Sequence, residues 1–314
     1  MNPWLPVWLA LRAAGFLADG SVDFAREIPT RDRRVYVHAT VWGGEAPVPF
    51  WCSGLHHSEG RCFVGDVPVL RQLPPVSAPV ERPQPLRYLA FQGTAGERPG
   101  ELWIATGCEQ LGSAKAICLQ RIVGDEAQEP AQFLTAPEES VLVDRLRIEG
   151  DVIFSRYGKE VYAQRGDEPP RRILEDVVEF DSEGTTVAYV DGHSVRLLEL
   201  NADLERMGDT EIAQASGAHA VAIDSDVIAW VSDEGVSVAK GAPAEDVRTA
   251  GGYVVWSERV GDEHVLHAWR DGTHVVVGRT SFDEPFYFDV LQRSDGRVVA
   301  VWREGPARLT WRLL

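Results

Sequence analysis

Positive charge is heavily outnumbered in this chain. Lys and Arg together number 31 against 48 Asp and Glu, a net charge of −17, and lysine is confined to Lys115, Lys159 and Lys240. Nucleic acid and anionic membrane both reward clustered cations, so this balance argues against both and favours a neutral or cationic partner. Long apolar runs are also missing, and no transmembrane segment is expected. Residues 4–17 are apolar, but Arg12 in the middle and Pro6 near the start spoil them as a signal-peptide core, and they are too short to span a bilayer. An exported form would therefore carry Met1 as an added start on a mature chain.

Signatures of chemistry are absent too. There is no G-x-S-x-G elbow, H-E-x-x-H, phosphate-binding loop or dinucleotide fingerprint. C-x2-C is absent, which argues against zinc, and no metal, cofactor or catalytic residue is expected. The remaining polar groups each have an ordinary reading. His264 and His267 are three apart, which on a strand turns them to opposite faces. His56-His57 reads as a solvated loop. Asp224-Ser225-Asp226 and Asp262-Glu263 occupy turn positions where acidic residues belong, although carboxylates there could also meet calcium. Glu138, Glu139, Asp144 and Asp151 supply the paired carboxylates glycoside cleavage would need, with a separation that sequence does not give.

The four cysteines are informative by their spacing. Cys52 and Cys62 are ten positions apart, as are Cys108 and Cys118, and the two pairs lie 56 residues apart. Each pair places one cysteine near the end of a strand and its mate in the next, within disulfide reach across a hairpin. Of the three connectivities, the local ones are favoured, each closing a short loop for about 3 kcal/mol in the loop-entropy model. This points to an oxidising compartment, periplasmic or secreted; four reduced thiols in a cytosolic protein are the alternative.

What the chain has in quantity is strand and turn. In Val177 to Leu200 a short apolar run, an Asp181-Ser182-Glu183-Gly184 turn, β-branched Thr186 to Val190, an Asp191-Gly192 turn and alternating Ser194 to Leu200 make a three-strand meander. Similar units recur at approximately 22–66, 86–123, 141–175, 176–214, 218–244, 245–280 and 285–314, with a Pro-rich connector through Pro74, Pro75, Pro79, Pro83 and Pro85. Aligned on a comparable strand, they place an aromatic in each: Trp42, Phe91, Phe154, Tyr189, Trp230, Trp256 and Trp302. A meander cannot bury both faces alone, so copies must stack, and units of about forty residues predict a single all-β domain, a seven-bladed β-propeller. A β-sandwich is the competing all-β reading. The last unit ends after three strands, so an N-terminal strand within residues 4–11 is expected to complete it and close the ring.

Phe180-Asp181-Ser182-Glu183-Gly184 followed by Val187-Ala188-Tyr189-Val190, and Ser294-Asp295-Gly296 followed by Val298 to Trp302, resemble the F-S-P-D-G-x-x-I-A-F pattern of the TolB-like (WD40-like) propeller repeats. The resemblance lies in the C-terminal half and implies a periplasmic binding platform. The expected function is a non-catalytic protein-binding scaffold, or a subunit of a larger extracytoplasmic assembly. The alternative is a carbohydrate-binding or glycan-cleaving propeller whose acidic residues converge at the central channel.

Overall fold

Asp191 shows how local sequence makes these sheets. Its carboxylate accepts the backbone N–H of His193 and Ser194 at 2.9 and 2.7 Å and the Ser194 hydroxyl at 3.0 Å. Gly192 follows with φ at 89°, a left-handed conformation open to glycine, and the chain reverses from Thr186–Val190 into Ser194–Leu200.

The computed structural model describes residues 19–23, 35–42, 47–53, 61–64, 67–69, 91–95, 101–109, 115–123, 126–127, 132–135, 143–166, 168–281, 286–292, 295–305 and 308–314. Their strands form seven sheets, each a succession of neighbouring strands. The first holds Val35–Trp42, Pro47–Ser53, Arg61–Val64 and Val67–Val69, and the second Phe91–Ala95, Glu101–Glu109, Lys115–Val123 and Gln132–Thr135, with Glu126–Ala127 as a fifth strand. The third holds Val143–Glu149, Val152–Tyr157, Glu160–Arg165 and Arg171–Leu174, and the fourth Glu179–Glu183, Thr186–Val190, Ser194–Leu200 and Arg206–Gln214. The fifth holds Ala220–Ile223, Ile228–Ser232, Gly235–Val236 and Ala239–Lys240, and the sixth Asp246–Ala250, Tyr253–Val260, Glu263–Arg270 and Thr273–Thr280. The seventh holds Phe288–Gln292, Val298–Gly305, Arg308–Leu313 and, from the other end of the chain, Gly20–Asp23.

The N-terminal strand of the seventh sheet runs antiparallel to Arg308–Leu313, with Gly20 opposite Trp311 and Val22 opposite Leu309. Glycine is needed at position 20 because a Cβ there would overlap the Trp311 indole. This strand comes from the stretch that sequence reading gave to the first unit, so the first sheet begins at Val35 instead of near 22. Residues 4–11, the expected donor, lie outside the described residues.

Contacts divide the chain into two units, one of Met1–Leu146, Glu284–Asp289 and Val301–Leu313, the other of Arg147–Asp283, Val290–Ala300 and Leu314. Within the first, the Gly20–Asp23 pairing ties the chain's two ends. Within the second, consecutive sheets cover one another along three apolar seams. Val152, Phe154, Val161 and Ala163 of the third sheet meet Phe180, Val187, Tyr189 and Leu198 of the fourth. Ala188, Val190 and Val195 of the fourth meet Val221 of the fifth. Ala222, Ala229, Val231 and Val236 of the fifth meet Val247, Val254 and Trp256 of the sixth. The fourth and fifth sheets thus bury both faces, the arrangement that lone meanders require.

Two details depart from the sequence reading. The Asp181-Ser182-Glu183 stretch, expected as turn, is strand, and the reversal falls at Gly184, with φ at 59°. Arg206–Gln214, read as no strand at all, is the nine-residue edge of the fourth sheet; its exposed, mixed-charge sequence lacks the apolar alternation that marks a half-buried strand.

Candidate functional site

The Asp181-Ser182-Glu183 departure identifies the site. Asp181 and Ser182 are buried, and buried polar groups need partners. Ser182 donates its hydroxyl to Glu149 Oε1 at 3.2 Å, and the Gly184 amide donates to Glu149 Oε2 at 3.1 Å. Asp181 accepts from Arg147 and, through Oδ2, from the Ile223 amide at 3.1 Å. Asp224 takes the Asp226 and Val227 amides on Oδ1, each at 2.9 Å, and the Gly252 amide on Oδ2 at 3.2 Å.

The third, fourth and fifth sheets repeat one link at or near the first hairpin. A carboxylate of one sheet accepts a backbone N–H from the next: Glu149 from the fourth sheet, Asp181 from the fifth, Asp224 from the sixth. These links lay carboxylates side by side. A cleft of about 590 Å³ between the first hairpins of the fourth and fifth sheets is lined by Glu183, Thr186, Asp224, Ser225 and Asp226, with Ile223, Val227 and Ile228 as its apolar part.

The electrostatics follow from that crowding. Burial, and then the Asp181 charge, push the Glu149 carboxyl up to about 7, against the lowering effects of Gly184 N–H, Ser182 and Arg147. Burial raises Glu183 as well, and Asp224, Asp226 and Asp181 add to it. Chemically, the cleft offers clustered negative charge to a cation, with a short apolar floor.

The residues singled out from sequence are distributed as follows. Among the aromatics, Phe154, Tyr189, Trp256 and Trp302 are buried and Trp230 is half-buried. Those five stand on the second strand of their sheets, whereas Trp42 and Phe91 stand on the first strand of theirs, so the alignment slipped by one strand in the first two units. Trp51 and Trp103 occupy second strands there; hairpin strands share the same alternation, so sequence alone does not say which is which. Phe154 and Tyr189 also fill one seam together.

Cys52 stands directly opposite Cys62. Cys108 stands opposite Ala116 and Cys118 opposite Thr106, a register offset of two residues. His264 and His267 find separate partners: His264 Nδ1 is 2.9 Å from Glu245, and His267 Nε2 is 3.0 Å from Glu258. Asp151 is exposed and paired with Arg165 at 2.9 Å, and Glu263 lies 3.5 Å from Arg279. His56, His57, Glu138 and Glu139 lie outside the described residues, and of Asp144 only the backbone is described, in the strand Val143–Glu149. Among the described residues no group of three or more His, Cys, Asp or Glu side chains is arranged to hold a metal ion, and no helix is long and apolar enough to cross a membrane.

Sequence reading missed Glu149, Asp181 and Glu183. A signal existed: Glu149-Gly150 and Glu183-Gly184 each end the first strand of a sheet with a carboxylate beside a positive-φ glycine.

No family model matches the sequence, and no curated protein matches it. Solved structures are similar at low identity. The WD40 β-propeller domain of Doa1 matches with a TM-score of 0.47 and 9% identity over 88% of this chain and 96% of that one. Kluyveromyces lactis Hsv2 matches with a TM-score of 0.40 and 12% identity over 65% of this chain and 68% of that one. A provisionally assigned 6-phosphogluconolactonase from Bacteroides uniformis matches with a TM-score of 0.46 and 13% identity over 86% and 91%.

Proposed function

We propose that this chain is a β-propeller of seven blades, its last blade completed by Gly20–Asp23, and that it serves as a non-catalytic scaffold binding a positively charged segment of another protein. The observation that carries the reading is the cleft at the first hairpins, where Glu183 and Asp226 have no cationic partner among the described residues and line the wall together with Asp224, Ile223, Val227 and Ile228. Lys or Arg entering there would offset the Asp224, Asp226 and Asp181 charges that add to the burial of Glu183, and its aliphatic stem would cover Ile223, Val227 and Ile228. The net charge of −17 would steer such a partner from a distance. We place the protein in the periplasm or outside the cell, within a larger assembly; the facing Cys52 and Cys62 support an oxidising compartment.

Binding of Arg- and Lys-rich peptides, measured by fluorescence anisotropy at low and high salt, tests this reading. The expected result is salt-sensitive binding that weakens about tenfold or more in Glu183→Gln/Asp226→Asn. Equal binding by that variant, or none by the native protein, would reject the cleft.

A glycan-cleaving propeller is the second reading, favoured by Glu149, whose carboxyl holds its proton toward neutrality as a general acid must. Both Glu149 oxygens are already engaged by Ser182 and Gly184, which ranks it second. Hydrolysis of aryl glycosides that disappears in Glu149→Gln would reverse the ranking.

A further inference from the structure

Away from the acidic cleft, the outer part of the sixth sheet carries a cluster that none of the foregoing explains. His267, on Glu263–Arg270, and His274, on the edge strand Thr273–Thr280, bring Nδ1 and Nε2 to 3.0 Å. Their ring centroids are 5.1 Å apart with planes inclined by 28°. That is close to the end-to-end geometry of two imidazoles joined through one N–H, in which the nitrogens point along a common line. A shared metal would instead need both lone pairs turned aside to a third point.

Trp256 lies beneath the pair, 5.2 Å from each imidazole centroid and nearly parallel to both, at 13° and 17°. Such a ring face favours a cation above it. Glu258 Oε2 stands 3.0 Å from His267 Nε2, and a proton on that nitrogen would leave Nδ1 of His267 to accept and Nε2 of His274 to donate. His267 is buried and His274 exposed.

We propose that His267 and His274 hold one proton between them, that this proton fastens the edge strand Thr273–Thr280 to its sheet, and that a second protonation loosens that strand. With both rings neutral, His274 Nε2–H donates to His267 Nδ1. A proton on His274 Nδ1, the nitrogen outside the pair, would leave the bond intact as a charged one over Trp256. A second has only His267 Nδ1 left to take; N–H then faces N–H between two cations, and the contact turns repulsive. The edge strand is weakly fastened at this place, because its register with Glu263–Arg270 shifts between Leu266 and His267.

The charged groups acting on His267 from the strands beside it are Glu258 on one side and His274 and Arg279 on the other, and Arg279 is shared with Glu263. The fifth sheet meets Trp256 with Ala222, Ala229 and Val231, which add no charge. Burial first, then His274 and Arg279, hold His267 below the ordinary histidine value, against Glu258. A depressed histidine stabilises the fold fully above the ordinary value and loses that contribution as pH falls through its own lower value. The strand is therefore held at neutrality and loosened in acid, and its exposed Val275 and Val276 would then be freed for new pairings.

Two measurements on the full chain test this. Imidazole ¹⁵N NMR should show His267 taking its proton below the ordinary histidine value of about 6.5. Exchange of the amides of Thr273–Thr280 that pair with Glu263–Arg270, corrected for intrinsic rates, should quicken about tenfold or more between pH about 7.5 and about 5. In His274→Gln the side-chain amide can donate to His267 or accept from it, so the step should vanish. His267 titrating at or above the ordinary value, or an undiminished step in His274→Gln, would overturn the proposal. A role in packing alone would change protection equally at both pH values and would overturn it as well.

Discussion

Glu149 accepts the Gly184 amide at 3.1 Å across two successive sheets, and it does so with a carboxyl that burial has pushed up to about 7. A structural hydrogen bond is thus made by a group that titrates near neutrality.

Glu149→Gln should change how stability depends on pH. A carboxyl raised in the folded state contributes stability that is fully present below its unfolded value, about 4.5, and is lost as pH rises through about 7. The Gln variant mimics the protonated form and should lack that decline, ending more stable than the native protein at pH about 8 by on the order of 2 kcal/mol. Denaturant midpoints on either side of the window check this; parallel curves for the two proteins would contradict it.

Tyr189→Phe should cost about 1 kcal/mol. The Tyr189 hydroxyl donates to Asp209, both of whose oxygens lie at 3.0 Å, and accepts from Arg196 Nε at 3.0 Å, linking the second, third and fourth strands of the fourth sheet. Arg196 still reaches Asp209 at 3.0 Å without it, which limits the loss. Thermal unfolding of the variant measures the difference, and a loss above about 3 kcal/mol would mean that the network acts as one unit.

Two glycine substitutions should separate space from conformation. Gly150 and Gly235 both have positive φ, 62° and 95°. A Cβ at Gly150 meets nothing within 4 Å, whereas at Gly235 it would lie 2.5 Å from the Ala242 carbonyl oxygen. Gly150→Ala should therefore cost about 1 kcal/mol, the strain of a left-handed alanine, and Gly235→Ala clearly more, because backbone must move. Equal melting temperatures for the two variants would contradict this.

Register makes a prediction about the thiols. Residues directly opposite across antiparallel strands lie about 4.5–5.5 Å apart, within disulfide range, while a two-residue offset places Cα atoms about 7–8 Å apart, beyond it. Cys52 and Cys62 meet the first condition, and Cys108 and Cys118 the second. Peptide mapping without reductant, on protein folded under oxidising conditions, should find the Cys52–Cys62 link and leave Cys108 and Cys118 unlinked to each other.

Repeated strands were legible in the sequence because turn residues and apolar alternation act over a few positions. The Asp191-Gly192 reversal is a local matter, and Thr186–Val190 and Ser194–Leu200 lie where the pattern put them. The strand containing Asp181 and Ser182 was misread as turn for the converse reason: those residues favour turns unless distant partners, Arg147, Ile223 and Glu149, bury and satisfy them. Alternation also repeats from strand to strand, so Trp42 and Phe91 fitted the aromatic column while standing one strand away from it.

The sequence by itself determined that this is an all-β chain of stacked antiparallel units, because glycine, aspartate and β-branched residues settle strand and turn within a few residues of one another. Only the tertiary structure decided which carboxylates share a cleft, that Gly20–Asp23 completes the last sheet, and that His267 meets His274 over Trp256. Those relationships depend on register and on which sheet faces which, and neither is set by short-range preference: each is fixed by the pairing that buries the most apolar surface while leaving the fewest polar groups unsatisfied.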